Sequence, residues 1–259
     1  MEPIPKKSLG QHWLHDTDSL EAMLSAGAVK PGDVVLEIGP GLGTLTKLLV
    51  KRAGRVIAVE FDANLARDLP GRVPADNLEI IQQDILSLDF TRLPHDYKVV
   101  ANIPYYLTSN LIRILSETSN PPSLAVLLVQ KEVAERVAAQ PGSMSILSVT
   151  AQYFWEVTLG KLVPAELFTP PPKVDSQIIS LHYRQQARFA DVDSKDFFRL
   201  VKAGFSQRRK TLLNSLSGGL QLDKPTVKLL CESVGIDPAR RAQTLSLDEW
   251  YALCLSYNT

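Results

Sequence analysis

Asp33-Val34-Val35-Leu36-Glu37-Ile38-Gly39-Pro40-Gly41-Leu42-Gly43 is a nearly unbroken apolar run, interrupted by one acid, that passes directly into three alternating glycines. Such a run reads as a buried strand, and the following Thr44 to Lys51 segment reads as a helix. Strand, glycine turn and helix together form a nucleotide-binding unit. The spacing is G-x-G-x-G rather than the G-x-G-x-x-G that carries a backbone up to a pyrophosphate, which favours a ligand without phosphates. Gly39 and Gly41 are its expected backbone contacts.

Outward from this unit the pattern repeats. Arg55 to Val59 is a second strand ending at Glu60, 21 residues after Gly39, where a carboxylate can accept from two ribose hydroxyls. Leu78 to Gln83 is a third, ending at Asp84, where a carboxylate can accept from an adenine amino group. Tyr97 to Ala101 is a fourth and runs into Asn102-Ile103-Pro104-Tyr105. Taken singly, these are ordinary helix caps and turns. Together they sit at the carboxyl ends of four successive strands, the edge of an open α/β sheet where ligands bind.

The Asn102 corner suggests alkylation of a planar amine. The exocyclic N6 of adenine is a poor nucleophile because its lone pair is delocalised into the ring. An acceptor pair, the Asn102 side-chain carbonyl and a neighbouring backbone carbonyl, would bind both N6 hydrogens and turn the lone pair outward. Pro104 has no N–H and a fixed φ, so it would hold that carbonyl still. Tyr105 would stack on the base, worth about 1–3 kcal/mol.

Ser109 to Ser116 carries a helical apolar face, and Leu124 to Val129 is a fifth, central strand. A helix from Gln130 to about Ala139 ends at Pro141-Gly142, and Ser145 to Trp155 is helical. Glu156 to Val163 and Gln177 to Tyr183 are two further strands. Five strands each followed by a helix, then two without one, is the order of a seven-stranded α/β methyltransferase sheet whose last strand is antiparallel. After Arg184 the chain becomes short helices broken by glycine and proline, so the domains expected are 1–184 and a small helical one over 185–259.

Composition is ordinary for a globular protein at 45% hydrophobic and 22% charged. No apolar run approaches the roughly 20 residues of a membrane span and the N-terminus has no signal-peptide core, so a cytoplasmic protein is expected. Cys231 and Cys254 are too few for a disulfide framework, and His12 and His15 lack the further ligands of a metal site, so no metal is expected. The net charge of zero hides an asymmetry. Residues 185–259 carry 11 basic and 8 acidic side chains, with Arg199, Lys202, Arg208, Arg209 and Lys210 clustered among Phe197, Phe198 and Phe205. A charge run is usually a solvated face; beside a base-binding site it becomes an expected phosphate contact.

Lys7-Ser8-Leu9-Gly10-Gln11, Glu37 to Gly43, Asn102 to Tyr105, Gln130-Lys131-Glu132-Val133, Phe168-Thr169-Pro170-Pro171-Pro172-Lys173-Val174-Asp175-Ser176 and Phe205 to Leu212 span almost the whole chain. In these motifs the chain resembles the ribosomal RNA adenine N6,N6-dimethyltransferases, most closely those of the bacterial small subunit. The resemblance implies a Rossmann-like class I fold and S-adenosylmethionine as cofactor, contacted by His12, Leu14, Gly39, Glu60, Asp84 and Asn102. It makes Asn102, Pro104 and Tyr105 the methyl-accepting site, with Phe168 stacked on the target adenine opposite Tyr105. Arg208, Arg209 and Lys210 fall in one of its motifs. The implied substrate is a pair of adjacent adenines in the 3′-terminal hairpin loop of 16S rRNA, in an immature 30S particle, each methylated twice by a monomeric enzyme during ribosome biogenesis.

One position departs from the family pattern: His12 stands where asparagine is usual. An imidazole, unlike an amide, can gain a proton, so cofactor affinity is expected to depend on pH through His12. Three other readings compete. They are a large-subunit adenine methyltransferase of the antibiotic-resistance type, an assembly factor whose binding outweighs its chemistry, and a DNA adenine methyltransferase. The last is disfavoured because no target-recognition segment stands outside the small helical domain.

Overall fold

The computed structural model describes residues 3–6, 9–185, 188–189 and 191–258. They form two compact units, one of residues 1–135 with 155–183 and one of residues 136–154 with 184–259. No helix of the described residues is long and apolar enough to cross a membrane.

The first unit is built on a seven-stranded sheet. Its strands are β2 (Val34–Ile38), β3 (Arg55–Glu60), β4 (Leu78–Gln82), β5 (Lys98–Asn102), β6 (Leu124–Gln130), β7 (Trp155–Val163) and β9 (Ser176–Tyr183). Their order is β4-β3-β2-β5-β6-β9-β7. The pairs from β4 to β6 are parallel, and β9 runs antiparallel to both β6 and β7, as expected of the last strand. β6 is buried along its apolar length because both neighbours and both faces are covered. β7 lies at the sheet edge and is exposed along most of its length, with an irregularity between Leu159 and Leu162.

The chain runs outward from β2 to β3 and β4, then returns to the other side of β2 as β5. That reversal opens a crevice at the carboxyl ends of β2 and β5. α1 (Thr17–Ala26) precedes β2, and α2 (Thr46–Arg52), α3 (Ala63–Arg72), α4 (Thr108–Glu117) and α5 (Lys131–Val137) lie in the connections after β2, β3, β5 and β6. Asp16 and Asp62 cap α1 and α3 by accepting backbone N–H bonds from Ser19 and Asn64. β4 departs from the expected order. It is followed not by an α-helix but by two single 3₁₀ turns, Ile85–Ser87 and Phe90–Arg92, each capped by the aspartate before it, Asp84 and Asp89. A second sheet pairs β1 (Trp13–Leu14) with β8 (Phe168–Thr169), setting Leu14 opposite Phe168.

The second unit is helical: α6 (Ile146–Phe154), α7 (Ser194–Phe205), α8 (Leu212–Leu220), α9 (Lys224–Ser233) and α10 (Leu247–Asn258). Its core gathers Val149, Phe197, Leu200, Val201, Leu212, Leu216, Trp250 and Leu253. Gly204 makes this packing possible, since a Cβ there would lie 2.3 Å from the Trp250 ring. These units differ from the expected division at 184/185 in one segment. Residues 136–154, which the sequence order assigns to the sheet domain, pack with the C-terminal helices because Met144, Val149 and Tyr153 bury their side chains in that core.

Candidate active site

The rim expected from the sequence is present. Gly39, Gly41, Glu60, Asp84, Asn102, Pro104 and Tyr105 line one cavity, and residues 9–14, with His12 and Leu14, form its N-terminal wall. Lys7 and Ser8 of the N-terminal motif lie outside the described residues.

The glycine turn holds φ values of +67° at Gly39, +58° at Gly41 and +80° at Gly43, which disfavour any residue with a Cβ. At Gly43 there is no room either, because a Cβ would come within 2.7 Å of Val73 and 2.9 Å of Leu69 below the turn. Gly41 N–H donates to Glu60 Oε2 at 3.1 Å, and Asp62 N–H donates to Glu60 Oε1 at 2.8 Å. Glu60 is thus tied to the turn it faces. Burial raises its pKa above the ordinary glutamate range, opposed by those backbone donors. A carboxylate has about four lone-pair sites, so two protein donors leave capacity for ligand hydroxyls. Asp62 is held below the usual carboxylate range by Lys6, whose Nζ lies 2.6 Å from Oδ2. Lys6 N–H also donates to Gln11 Oε1 at 2.8 Å, anchoring the start of the wall.

Asp84 accepts from Leu86 N–H through Oδ1 at 3.0 Å and is exposed. Oδ2 accepts no hydrogen bond from a described residue, as an acceptor for an amino group requires.

Asn102 ends β5, and its Nδ2 donates to the His12 backbone carbonyl at 3.3 Å. A carbonyl can only accept, so this contact fixes which end of the amide is which. Oδ1 is thereby left as an acceptor, and no described residue donates to it. The Pro104 carbonyl accepts from Leu107 N–H at 3.0 Å, whereas the Ile103 carbonyl at the cavity-lining corner accepts from no described backbone N–H. The Tyr105 hydroxyl and Ser176 Oγ are 2.7 Å apart, and burial raises the tyrosine pKa.

One expectation changes at this point. The ring facing Tyr105 is His12, with centroids 5.8 Å apart and planes inclined by 19°. Phe168 is 3% exposed, packed with Leu14, Leu20 and Ile178, and is not among the cavity-lining residues. Its β8 pairing with Leu14 turns the ring into the core. His12 Nδ1 lies 2.7 Å from the Pro170 carbonyl and must donate to it. That nitrogen therefore carries the proton of this bond.

The cationic segment is also clarified. Arg208, Arg209 and Lys210 are exposed in the turn between α7 and α8 and form no ion pair with a described residue. Arg199 bonds the Tyr257 hydroxyl and stacks on its ring. Phe197 and Phe198 pack against Tyr153, and Phe205 against Trp250, so these aromatics are core and not base platforms.

Sequence reading missed Trp13, Glu37 and Thr46. Trp13 Nε1, Glu37 Oε2 and Thr46 Oγ1 are buried without a hydrogen-bond partner among the described residues, and Trp13 and Glu37 line the cavity. Native folds rarely leave such atoms unpaired. They suit a ligand that carries polar groups to the floor of the crevice. The signal available was the acid in an otherwise apolar strand.

Residues 5–258 match the family described as ribosomal RNA adenine dimethylase. A Ribosomal RNA small subunit methyltransferase A of Dehalococcoides mccartyi is 46% identical over 97% of this chain and 88% of its own length. That of Clostridioides difficile is 41% identical over 98% and 91%. Among solved structures, a dimethyladenosine transferase from Plasmodium falciparum matches with a TM-score of 0.82 at 28% identity, over 95% of this chain and 97% of that one. The 23S rRNA methyltransferase ErmE matches with a TM-score of 0.76 at 25% identity, over 95% and 100%. With its mixed seven-stranded methyltransferase sheet and its acceptor corner at Asn102, the chain belongs to the ribosomal RNA adenine dimethylase family.

Proposed function

We propose that this protein uses S-adenosylmethionine to methylate N6 of two adjacent adenines in the 3′-terminal hairpin loop of small-subunit rRNA, each twice. The substrate is an immature 30S particle in the cytoplasm, during ribosome biogenesis. Relatives at 41% and 46% identity named for the small subunit support the choice of RNA.

The observation that carries the chemistry is the anchored amide of Asn102. With Nδ2 held by the His12 carbonyl, Oδ1 and the Ile103 carbonyl form the acceptor pair that an adenine amino group needs. Glu60 would take the ribose hydroxyls, Asp84 the cofactor's amino group, and Gly39, Gly41, His12 and Leu14 would frame the methionine end. Bound there, S-adenosylmethionine supplies an electrophilic methyl group on a sulfonium. The protein's part is to hold the amine in line, and alignment of this kind is worth about 7–11 kcal/mol in well-oriented systems. No general base is needed before attack, because the nitrogen becomes acidic only after alkylation. Tyr105 stacks on the base, which must be splayed from its loop to reach the corner. Phe168 supports this site from beneath, through its β8 pairing to Leu14. Arg208, Arg209 and Lys210 contact phosphates.

The test is incubation with tritiated S-adenosylmethionine and immature small subunits, followed by mapping of the labelled nucleotides. Label in two adjacent adenines of the 3′-terminal hairpin is expected. Label in large-subunit rRNA would establish the activity named for ErmE instead.

A further inference from the structure

β2 carries a single charged side chain, Glu37, in an otherwise apolar strand. Alternation along the strand puts it on the same face as Val35. That face is covered by Leu20, Met23 and Leu24 of α1 and by Leu45 and Leu49 at α2. Glu37 is 1% exposed and has no ion-pair partner among the described residues. Two other groups act on it. The Thr46 hydroxyl on α2 favours the anion without completing a hydrogen bond, and the Glu60 carboxylate on β3 opposes it. Burial outweighs both and pushes the carboxyl up to about 8.

A position that served packing alone would hold valine or isoleucine, since an unpaired buried polar group costs about 1–3 kcal/mol. Here two unpaired oxygens, Glu37 Oε2 and Thr46 Oγ1, sit together, and Glu37 borders the cavity. The one group here that gains from a cation is Glu37, whose carboxylate would otherwise be buried without a counter-charge.

We infer that Glu37 is a proton-exchanging counter-charge for the cofactor, a neutral acid in the free protein that gives up its proton when a positively charged ligand enters the cavity. The inference rests on the S-adenosylmethionine assignment above, whose sulfonium and ammonium bring the charge. The bond broken is the carboxyl O–H, and the proton passes to bulk solvent. The ligand's cation replaces it, so no net charge is buried. Affinity then rises with pH, by up to about tenfold per unit while Glu37 starts neutral, and levels off above pH 8.

Titration calorimetry of wild type and Glu37→Gln with S-adenosylmethionine, at pH 7 in two buffers of different ionisation enthalpy, counts the protons released. Close to one per cofactor is expected from wild type and none from the variant. The cofactor's own amino group, which titrates near 8, is already mostly charged at pH 7 and takes up only a small fraction of a proton when it binds as the cation. Infrared difference spectra of wild type need no variant. The C=O stretch of a protonated carboxyl should disappear on cofactor addition. Binding with equal proton counts in the two proteins, or with no change in that band, overturns the inference and leaves the cofactor assignment standing. Absence of S-adenosylmethionine binding to wild type overturns the assignment itself.

Discussion

The side-chain amide of Asn102 donates to the backbone carbonyl of His12, 90 residues away in sequence, at 3.3 Å. This one bond orients the acceptor oxygen and joins the N-terminal wall to the end of β5. Asn102→Ala should therefore lower turnover by about a hundredfold, the scale seen when one positioned polar group is removed from a reacting centre. Cofactor affinity should change only a few-fold. Parallel measurement of single-turnover rates and cofactor binding checks this, and equal losses in both would reduce Asn102 to a binding residue.

Phe168 is a core side chain here, so Phe168→Ala should destabilise the fold by about 3–5 kcal/mol. Denaturant titration reads that loss. A variant of unchanged stability with weakened RNA binding would restore the ring to a base-stacking role.

Glu37 ties stability to pH in the cofactor-free protein. Its folded pKa, about 8, lies above the ordinary 4.5. The unfolded chain thus releases this proton first as pH rises, and stability is lost across the window between those two values. The melting temperature should fall from pH 5 to pH 8, by more in wild type than in Glu37→Gln. Identical pH profiles for the two proteins would contradict the assignment.

Neutralising Arg208, Arg209 and Lys210 together should weaken RNA binding and flatten its salt dependence. Each lost phosphate contact lowers the slope of log K against log salt by about 0.7 for single-stranded RNA. Cofactor binding should be untouched. An unaltered slope would make this turn a solvated surface.

The strands and the acids at their ends were legible because a buried parallel strand writes itself as an apolar run and ligand groups must stand where it stops. Counting those strands yields a seven-stranded sheet with an antiparallel last strand, while their order across the sheet depends on which strands pair in space. What was not legible depended on distant partners. Leu14 and Phe168 form two-residue strands that exist only because each finds the other. Residues 136–154 adjoin β6 and β7 in sequence yet pack with helices after 184, through Val149 and Tyr153. Phe197 was legible as core, since with Leu200, Val201 and Gly204 it follows the i, i+3, i+4, i+7 spacing of a buried helix face.

The pairing of Leu14 with Phe168 also sets a timetable for biosynthesis. The glycine turn and its acids leave the ribosome early, but the N-terminal wall must wait for residue 168 before it can latch. A growing or prematurely terminated polypeptide therefore carries half a pocket, and competence for methylation arrives only once the last third of the protein is being translated.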